Sequence, residues 1–503
     1  MSLAEVYTRY VVGINTTRIK IEIDINQGLP GFILVGLSDS TSRGIRARVR
    51  SAMLNSGYHF PARKITLSLT PSPQLSDTNG YDLPIALAIL IASGQVQLKR
   101  QGHVEFYAGL SLNGSLTGCK GAISAMLAAS DAKHQIVVAQ QLLSPELIFA
   151  DDSVYYAENL RQVCRYLQNE VSLIKKKPKN LTDDIEYPTI DLQSIVGHHH
   201  AKRALEIAAA GGHSLLMVGP PGTGKTTLAR CLPGLLPELT HEEKIAIAQV
   251  ENFSKNTLSQ PLSRPFRSPH HSVTAAGLIG STHPDSPGEI TLAHRGILFL
   301  DELLEFDKKT LDALRTPWEQ GYVLLSRART QVTYPAIFQL IAATNLPYYY
   351  ALPELKAKNT RRTLGKSVEV LSTALIDRFQ LSIEVSAPSE SSTLLDNESS
   401  LTVKARVLSA RACQIERQKK ENARLDASEI NQYCQLSSED WDWLKDCLHQ
   451  LLLSQRALSH LLKVARTISD LNREPKVTRS ALQEALSYRY TDRIVQYLAQ
   501  LYQ

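Results

Sequence analysis

The sequence predicts an α/β multidomain protein: an N-terminal α+β domain, a P-loop α/β core with a parallel sheet, and a C-terminal helical lid. Three observations predict it. Strand–loop–helix units beginning at Asp191 carry short, fully apolar runs, the signature of strands buried on both faces of a parallel sheet. One of these runs opens directly into a glycine-rich loop and a helix, "SLLMVGPPGTGKTT". On either side lie a region of alternating β-rich runs and a region that reads as helix almost throughout.

In chain order, residues 1–172 alternate runs such as "IKIEIDI" and "GFILVGL" with helical patterns such as "TSRGIRARVRSAMLNSG", and read as an independent α+β domain. Residues 173–190, which include "KKKPKNLTDDIEYP", mix charge and proline and read as a solvated linker. The P-loop core is expected over 191–388. A serine- and proline-rich break, "VSAPSESSTLLDNESS", precedes the helical lid over 389–503, where Leu458, Leu461, Leu462 and Ala465 share one face. No internal repeat is evident.

Composition narrows the function classes. The chain has 503 residues, is 43% hydrophobic and 21% charged, and carries a net charge of +6. That charge permits an anionic partner only through local patches. Six scattered cysteines with no CxxC pair argue against a cysteine-built metal site or disulfide framework and fit a reducing compartment. The N-terminus lacks a signal-peptide pattern, and the longest apolar run, "LPIALAILIA", is about half of what a bilayer crossing needs. A cytoplasmic protein without membrane contact is the expectation.

The chemistry sits in a few motifs. In Gly219-Pro220-Pro221-Gly222-Thr223-Gly224-Lys225-Thr226-Thr227, glycines allow a tight loop whose N–H groups face phosphate oxygens at a helix N-terminus. Lys225 is expected on the β/γ-phosphates of ATP and the Thr226 hydroxyl on Mg²⁺. In "GILFLDEL" a buried strand ends in two carboxylates: Asp301 for the Mg²⁺ shell and Glu302 to polarise the attacking water. A third apolar strand, "FQLIAATN", ends in Asn345, either a water-holding amide or a plain strand terminator. In "ALIDRFQL", Arg378 is either an ion-pair partner of Asp377 or an arginine finger for a neighbouring subunit's ATP.

These motifs, in this order, resemble AAA+ ATPases. "IDLQSIVGHHHAKRALEIAAAGGH", "RSPHHS", "PGEITLAHRGILFLDELLEFDKKTLDALRTPWEQGYVLLSRA" and "QRALSHLLKVARTISDL" are similar to the magnesium-chelatase-like branch, and nearly the whole chain resembles the YifB/ComM proteins. The resemblance implies a homo-hexameric ring with ATP sites between subunits. It implies that Val196 and Gly197 border the adenine and that Arg456 is the sensor-2 arginine of the lid. Arg315 and Arg327 lie near the implied subunit seam. The stretch "RPFRSPHHSVTAAGLIG" is then an insertion facing the central pore, joined by a hairpin around "YVLLSRARTQVTYP". Arg267, His270, His271, Arg327 and Arg329 become candidate grips on a nucleic-acid backbone; the alternative is that the insertion packs on a neighbouring subunit and touches no ligand.

The N-terminal domain resembles the proteolytic domain of Lon proteases. In "SDTNGYDLPIALAIL" the register puts Asp82 where that family has its catalytic serine, and the helix matching the lysine-bearing one has no lysine after Lys120, so no acyl transfer is expected. Arg43, Arg46, Arg48 and Arg50 form either a DNA contact or a solvated helix face. The segment after Asn345, with Tyr348–Tyr350 and several lysines and arginines, lacks the cysteine-rich patch of many relatives. It suits stacked bases or a solvated loop equally. Two functions follow from the resemblance. One is a DNA motor that moves single-stranded and branched DNA in branch migration during natural transformation, with recombination proteins as further partners. The other is a protein-remodelling ATPase.

Overall fold

The computed structural model describes residues 2–35, 39–71, 79–99, 104–142, 153–175, 190–255, 262–282, 285–326, 331–345, 373–386, 397–451 and 453–489. Its N-terminal part is built on β1 (Ser2–Val12), β2 (Asn15–Asn26), β3 (Gly31–Val35), α1 (Asp39–Asn55), β4 (Lys64–Thr70), α2 (Asp82–Ala92), β5 (Val104–Tyr107), α3 (Ala122–Asp131), β6 (Gln135–Ala139), β7 (Val154–Ala157) and α4 (Leu160–Leu167). The seven strands form one mixed sheet in the order β3-β4-β2-β1-β5-β6-β7. Alternation along β2 explains its role: Ile19, Ile21, Ile23 and Ile25 enter the core while Lys20, Glu22 and Asp24 face outward. The apolar run at Leu83 becomes α2, buried on every side, which is why it shows no polar face. Leu173 joins this core and the Ile174 carbonyl accepts from the Tyr156 N–H at 3.1 Å, so the first residues expected in the linker belong to this domain's packing. Most of the linker lies outside the described residues.

The core contains α5 (His199–Gly211), β8 (Leu215–Val218), α6 (Lys225–Leu235), α7 (His241–Ser254), β9 (Phe266–Arg267), α8 (Ala275–Ile279), β10 (Gly280–Thr282), β11 (Asp285–Pro287), α9 (Glu289–Leu292), β12 (Ile297–Leu300), α10 (Lys308–Gln320), β13 (Tyr322–Ser326), β14 (Gln331–Pro335), β15 (Gln339–Thr344), α11 (Thr373–Ile376) and β16 (Leu381–Glu384). Five of these strands form a parallel sheet, ordered β9-β12-β15-β8-β16. Successive residues serve opposite faces. Leu215, Met217, Phe299 and Ile341 pack towards α5, α6 and the lid, whereas Leu216, Val218, Leu300 and Leu340 pack towards α8 and α10. Both faces are covered, which is why these strands read as continuous apolar runs.

The C-terminal region is helical: α12 (Ser400–Gln418), α13 (Ala427–Tyr433), α14 (Ser438–Gln450), α15 (Gln455–Leu471) and α16 (Arg479–Ser487). It shares a hydrophobic core with α5 and α6. Among the described residues, no helix is long and apolar enough to cross a membrane.

Among the described residues, two apolar contacts join the N-terminal part to the core. Ile247 and Ala248 of α7 enter the cluster around Ile123, Met126 and Val138. Val11, Val12 and Ile14, flanking the β1–β2 turn, pack on Phe253, Val332 and Tyr334 beside the β13–β14 hairpin.

Candidate nucleotide-binding site

The cradle forms where β8 stops. Gly222 and Gly224 take left-handed φ of 80° and 85°, which an L side chain adopts only with strain, and Gly219 lies so close to Val385 that a Cβ would sit 2.1 Å from its carbonyl oxygen. Lys225, the first residue of α6, is 5% exposed; its ammonium donates to the carbonyls of Gly219 at 2.9 Å and Pro220 at 2.6 Å. Burial lowers its pKa from the usual lysine value. Thr223 closes the loop on the Pro220 carbonyl at 3.0 Å.

The second wall is the end of β12. The Thr226 hydroxyl donates to Asp301 Oδ2 at 2.7 Å, and Asp301 Oδ1 accepts the Glu302 N–H at 3.0 Å. Glu302 has a left-handed φ of 53°, uncommon for a residue other than glycine. Asn345 follows β15, whose Thr344 carbonyl accepts the Gly219 N–H at 3.2 Å, so its backbone adjoins the cradle. A hydroxyl and a carboxylate in contact are hard oxygen donors of the kind Mg²⁺ takes, and the left-handed glycines open the loop's N–H groups to phosphate. The residues therefore fit ATP with Mg²⁺. At the other flank, Gly197 and His198 both take left-handed φ before α5, and Asn397 donates to the Ile195 carbonyl at 2.8 Å, setting Val196 and Gly197 against the lid's first residues. His200 stacks on Tyr488 with centroids 4.8 Å apart.

The two arginines lie elsewhere. Arg378 Nε and Arg456 Nη2 both donate to Oε1 of Glu319, at 2.9 and 2.6 Å. The Arg378 carbonyl accepts from Ser214, which precedes β8. Five residues of strand separate that point from the cradle, about 16 Å. Arg456, the lid arginine, meets the end of α10 through Glu319. Arg378 pairs with Glu319, a residue that sequence reasoning missed. The available signal was a carboxylate in the last turn of a helix, just ahead of Gly321.

The insertion also differs from expectation. Phe266 and Arg267 pair in parallel with Ile297 and Leu298, so the start of the supposed loop is an edge strand of the sheet. Arg267, its side chain 41% exposed, makes two 2.7 Å bonds to Glu289 within the chain. His270 and His271 stand 4.0 Å apart ring to ring, and His271 Nδ1 lies 3.5 Å from Glu302 Oε2. Arg315 pairs with Asp312 one turn away at 2.8 Å. Arg327 and Arg329 lie outside the described residues, as do Tyr348–Tyr350 and the basic residues after them. In the N-terminal domain the half-buried Arg48 grips Asp82 through two bonds of 2.6 and 2.9 Å.

A glycine-rich strand–loop–helix cradle beside a strand ending in Asp-Glu, within a five-stranded parallel sheet, defines a P-loop nucleotide-binding core. Three family profiles match the chain: "Subunit ChlI of Mg-chelatase" over residues 21–141, "Magnesium chelatase, subunit ChlI" over 191–393, and "Magnesium chelatase, subunit ChlI C-terminal" over 397–489. The chain is 44% identical over 511 aligned residues to "Uncharacterized protein YifB" of Escherichia coli, and 41% identical over 514 to "Competence protein ComM" of Haemophilus influenzae, covering 100% of each chain in both cases. It is 26% identical over 204 residues to the chloroplastic magnesium-chelatase subunit ChlI of Nicotiana tabacum, covering 35% of this chain and 47% of that one. The chain belongs to the YifB/ComM family of magnesium-chelatase-like AAA+ proteins.

Proposed function

We propose that the protein is an ATP-hydrolysing motor that acts on branched and single-stranded DNA as a homo-hexamer, in the service of competence and strand integration. The observation that carries the nucleotide half is the 2.7 Å contact between Thr226 and Asp301, next to a lysine held in a glycine loop. Thr226 and Asp301 would hold Mg²⁺, which would neutralise phosphate charge. Lys225 exchanges the loop carbonyls for the β/γ-phosphates. Glu302 orients the attacking water, Asn345 assists it, and Val196 and Gly197 flank the base. Arg378 and Arg456 complete the site of a neighbouring subunit.

The DNA half is supported by the relative named a competence protein and by the basic residues of the insertion and the hairpin. His270, His271, Arg327 and Arg329 are the grips, with Arg267 bracing the insertion through Glu289. The N-terminal domain serves as a non-proteolytic collar, because Asp82 is buried in an ion pair where a nucleophile would be needed. One observation favours the second reading, a protein-remodelling ATPase: Tyr322 and Leu324 of the hairpin are 41% and 50% exposed, a grip suited to polypeptide.

The test is ATP-driven strand displacement on a mobile three-stranded DNA junction. The wild type is expected to displace the strand and Lys225→Ala to lose both hydrolysis and displacement. The Arg327→Ala/Arg329→Ala variant is expected to keep hydrolysis but lose displacement. Hydrolysis by the wild type with no binding to any junction would sink the DNA reading in favour of a protein substrate.

A further inference from the structure

Glu319 is placed against the electrostatics of its own helix. It lies in the last turn of α10, where Gly321 takes a left-handed φ of 75° and its N–H closes on the Pro317 carbonyl at 2.8 Å. A carboxylate there meets the negative end of the helix dipole. Arg456 is equally misplaced: it sits in the first turn of α15, just after the Ser454 cap, where the dipole's positive end repels a guanidinium. Each charge is unfavourable for its own helix and favourable only for the other, 2.6 Å away.

Arg378, from the turn before β16, adds its Nε to the same oxygen at 2.9 Å. The neighbours of the ion cluster are also locked. Trp318, adjacent to Glu319, packs on Phe379, adjacent to Arg378, with centroids 5.2 Å apart. The two guanidiniums hold the Glu319 carboxyl below its ordinary pKa against the opposing effect of burial, so it stays ionised at neutral pH. Three elements that do not adjoin in sequence, α10, the turn after α11 and α15, thus meet at one carboxylate, at the end of the sheet opposite the chain's own cradle. Local preference yields there to a positional requirement, which marks a functional constraint more often than a packing one.

We propose that Glu319 is a positioning residue: it sets the spacing of Arg378 and Arg456 so that they engage the triphosphate of a second copy of this chain as one unit. Two guanidiniums brought together without it repel each other and separate. With it, one oxygen fixes both, through Nε of Arg378 and one Nη of Arg456, and both planar forks are preorganised for phosphate. This inference rests on the ATPase reading above and goes beyond it in naming the group that organises the trans arginines.

The experiment uses the full chain and measures ATP hydrolysis against ATP concentration for the wild type, Glu319→Gln, Glu319→Asp, Arg378→Ala, Arg456→Ala and the double variant Glu319→Gln/Arg378→Ala. Binding of a fluorescent ATP analogue is measured alongside. Glu319→Gln is expected to lower kcat by ~10- to 100-fold, because misplaced transition-state groups cost about that much, with analogue binding unchanged. Adding Glu319→Gln to Arg378→Ala is expected to cost little more than Arg378→Ala alone, since both break one unit. Wild-type kcat in Glu319→Gln overturns the proposal, and so does a double variant whose loss is the product of the single losses. Glu319→Asp keeps the charge but shortens the reach, so an intermediate kcat with a wild-type melting temperature separates positioning from general folding; kcat and melting temperature falling together overturns positioning. Absence of hydrolysis by the wild type removes the ATPase reading itself, and this inference with it.

Discussion

At the residue scale, Thr226 and Asp301 act through oxygen atoms alone, which makes their effect separable from folding. Thr226→Val keeps shape and removes the hydroxyl that donates to Asp301. We expect it to raise the Mg²⁺ concentration needed for half-maximal hydrolysis and to lower turnover by ~100-fold or more, as loss of one charge-stabilising group does. A Mg²⁺ titration of hydrolysis checks this, and an unchanged Mg²⁺ midpoint would remove Thr226 from the metal shell. Asp82 illustrates the opposite kind of residue. It is 1% exposed and its partner Arg48 comes from a different helix. Asp82→Ala removes the buried end of this ion pair, at a cost of ~1–3 kcal/mol because Arg48 is partly exposed. Chemical unfolding of the N-terminal domain is expected to shift accordingly, with no change in hydrolysis. These residues also mark the limit of what the sequence discloses. The loop Gly219–Thr226 and the Asp301-Glu302 pair were legible because each motif is contiguous and its spacing encodes its geometry. Arg48 with Asp82, and Glu319 with its two arginines, were not, because each contact joins separate elements and no local pattern records which charges meet.

At the scale of elements, the parallel strands were legible because burial on both faces leaves unbroken apolar runs, and α2 because burial on all sides does the same. The two-residue strand β9 was not, since "FR" carries no period of any kind, and it was read as the beginning of a loop. The contact between the β1–β2 turn and the β13–β14 hairpin also escaped, although Gly13 was its only trace. Gly13 takes a φ of 55°, and a Cβ there would meet Val332 Cγ1 at 2.8 Å and the Thr333 carbonyl at 2.9 Å. The β13–β14 hairpin is therefore buttressed by the N-terminal domain. Gly13→Val combines left-handed strain with overpacking, together ~2–4 kcal/mol. The expected result is faster hydrogen exchange in β13, β14 and the β1–β2 turn, with ATP binding at the distant cradle retained. Equal protection in the variant would show that the turn merely lies beside the hairpin.

Across the whole molecule, three histidines sit inside the core and lid and none of them is charged in the fold. His213 is fully buried between Gln380 and Thr467, bridging the foot of β8 to α15, and burial brings its pKa down to about 4. Burial likewise depresses His294, beneath β12, to about 3, and His460 of α15 to about 2, with nearby cations adding to each effect. The unfolded chain takes up a proton at each site near pH 6.5, whereas the folded chain does not. Stability is therefore complete above that value and declines as the pH falls below it, until the folded pKa of each group is reached. At pH 5.5 each histidine costs roughly 1.4 kcal/mol, about 4 kcal/mol for the three together. The carboxylates held low by arginines, such as Glu421 at about 2, lose stability in the same direction but only below the ordinary glutamate range, so the interval from pH 7.5 to 5.5 isolates the histidines. Because all three lie in the core and lid, mild acid is expected to loosen the junction of α5, β8 and α15 while the N-terminal sheet stays protected. Hydrogen exchange at pH 7.5 and 5.5, corrected for intrinsic rates, reads this region by region. His213→Gln keeps a side chain able to reach Gln380 or Thr467 but removes the titration, so its core is expected to lose about 1.4 kcal/mol less over that interval than the wild type. The same loss in both would mean that His213 carries its proton inside the fold, and the account of the core–lid junction as a neutral, acid-sensitive seam would fall.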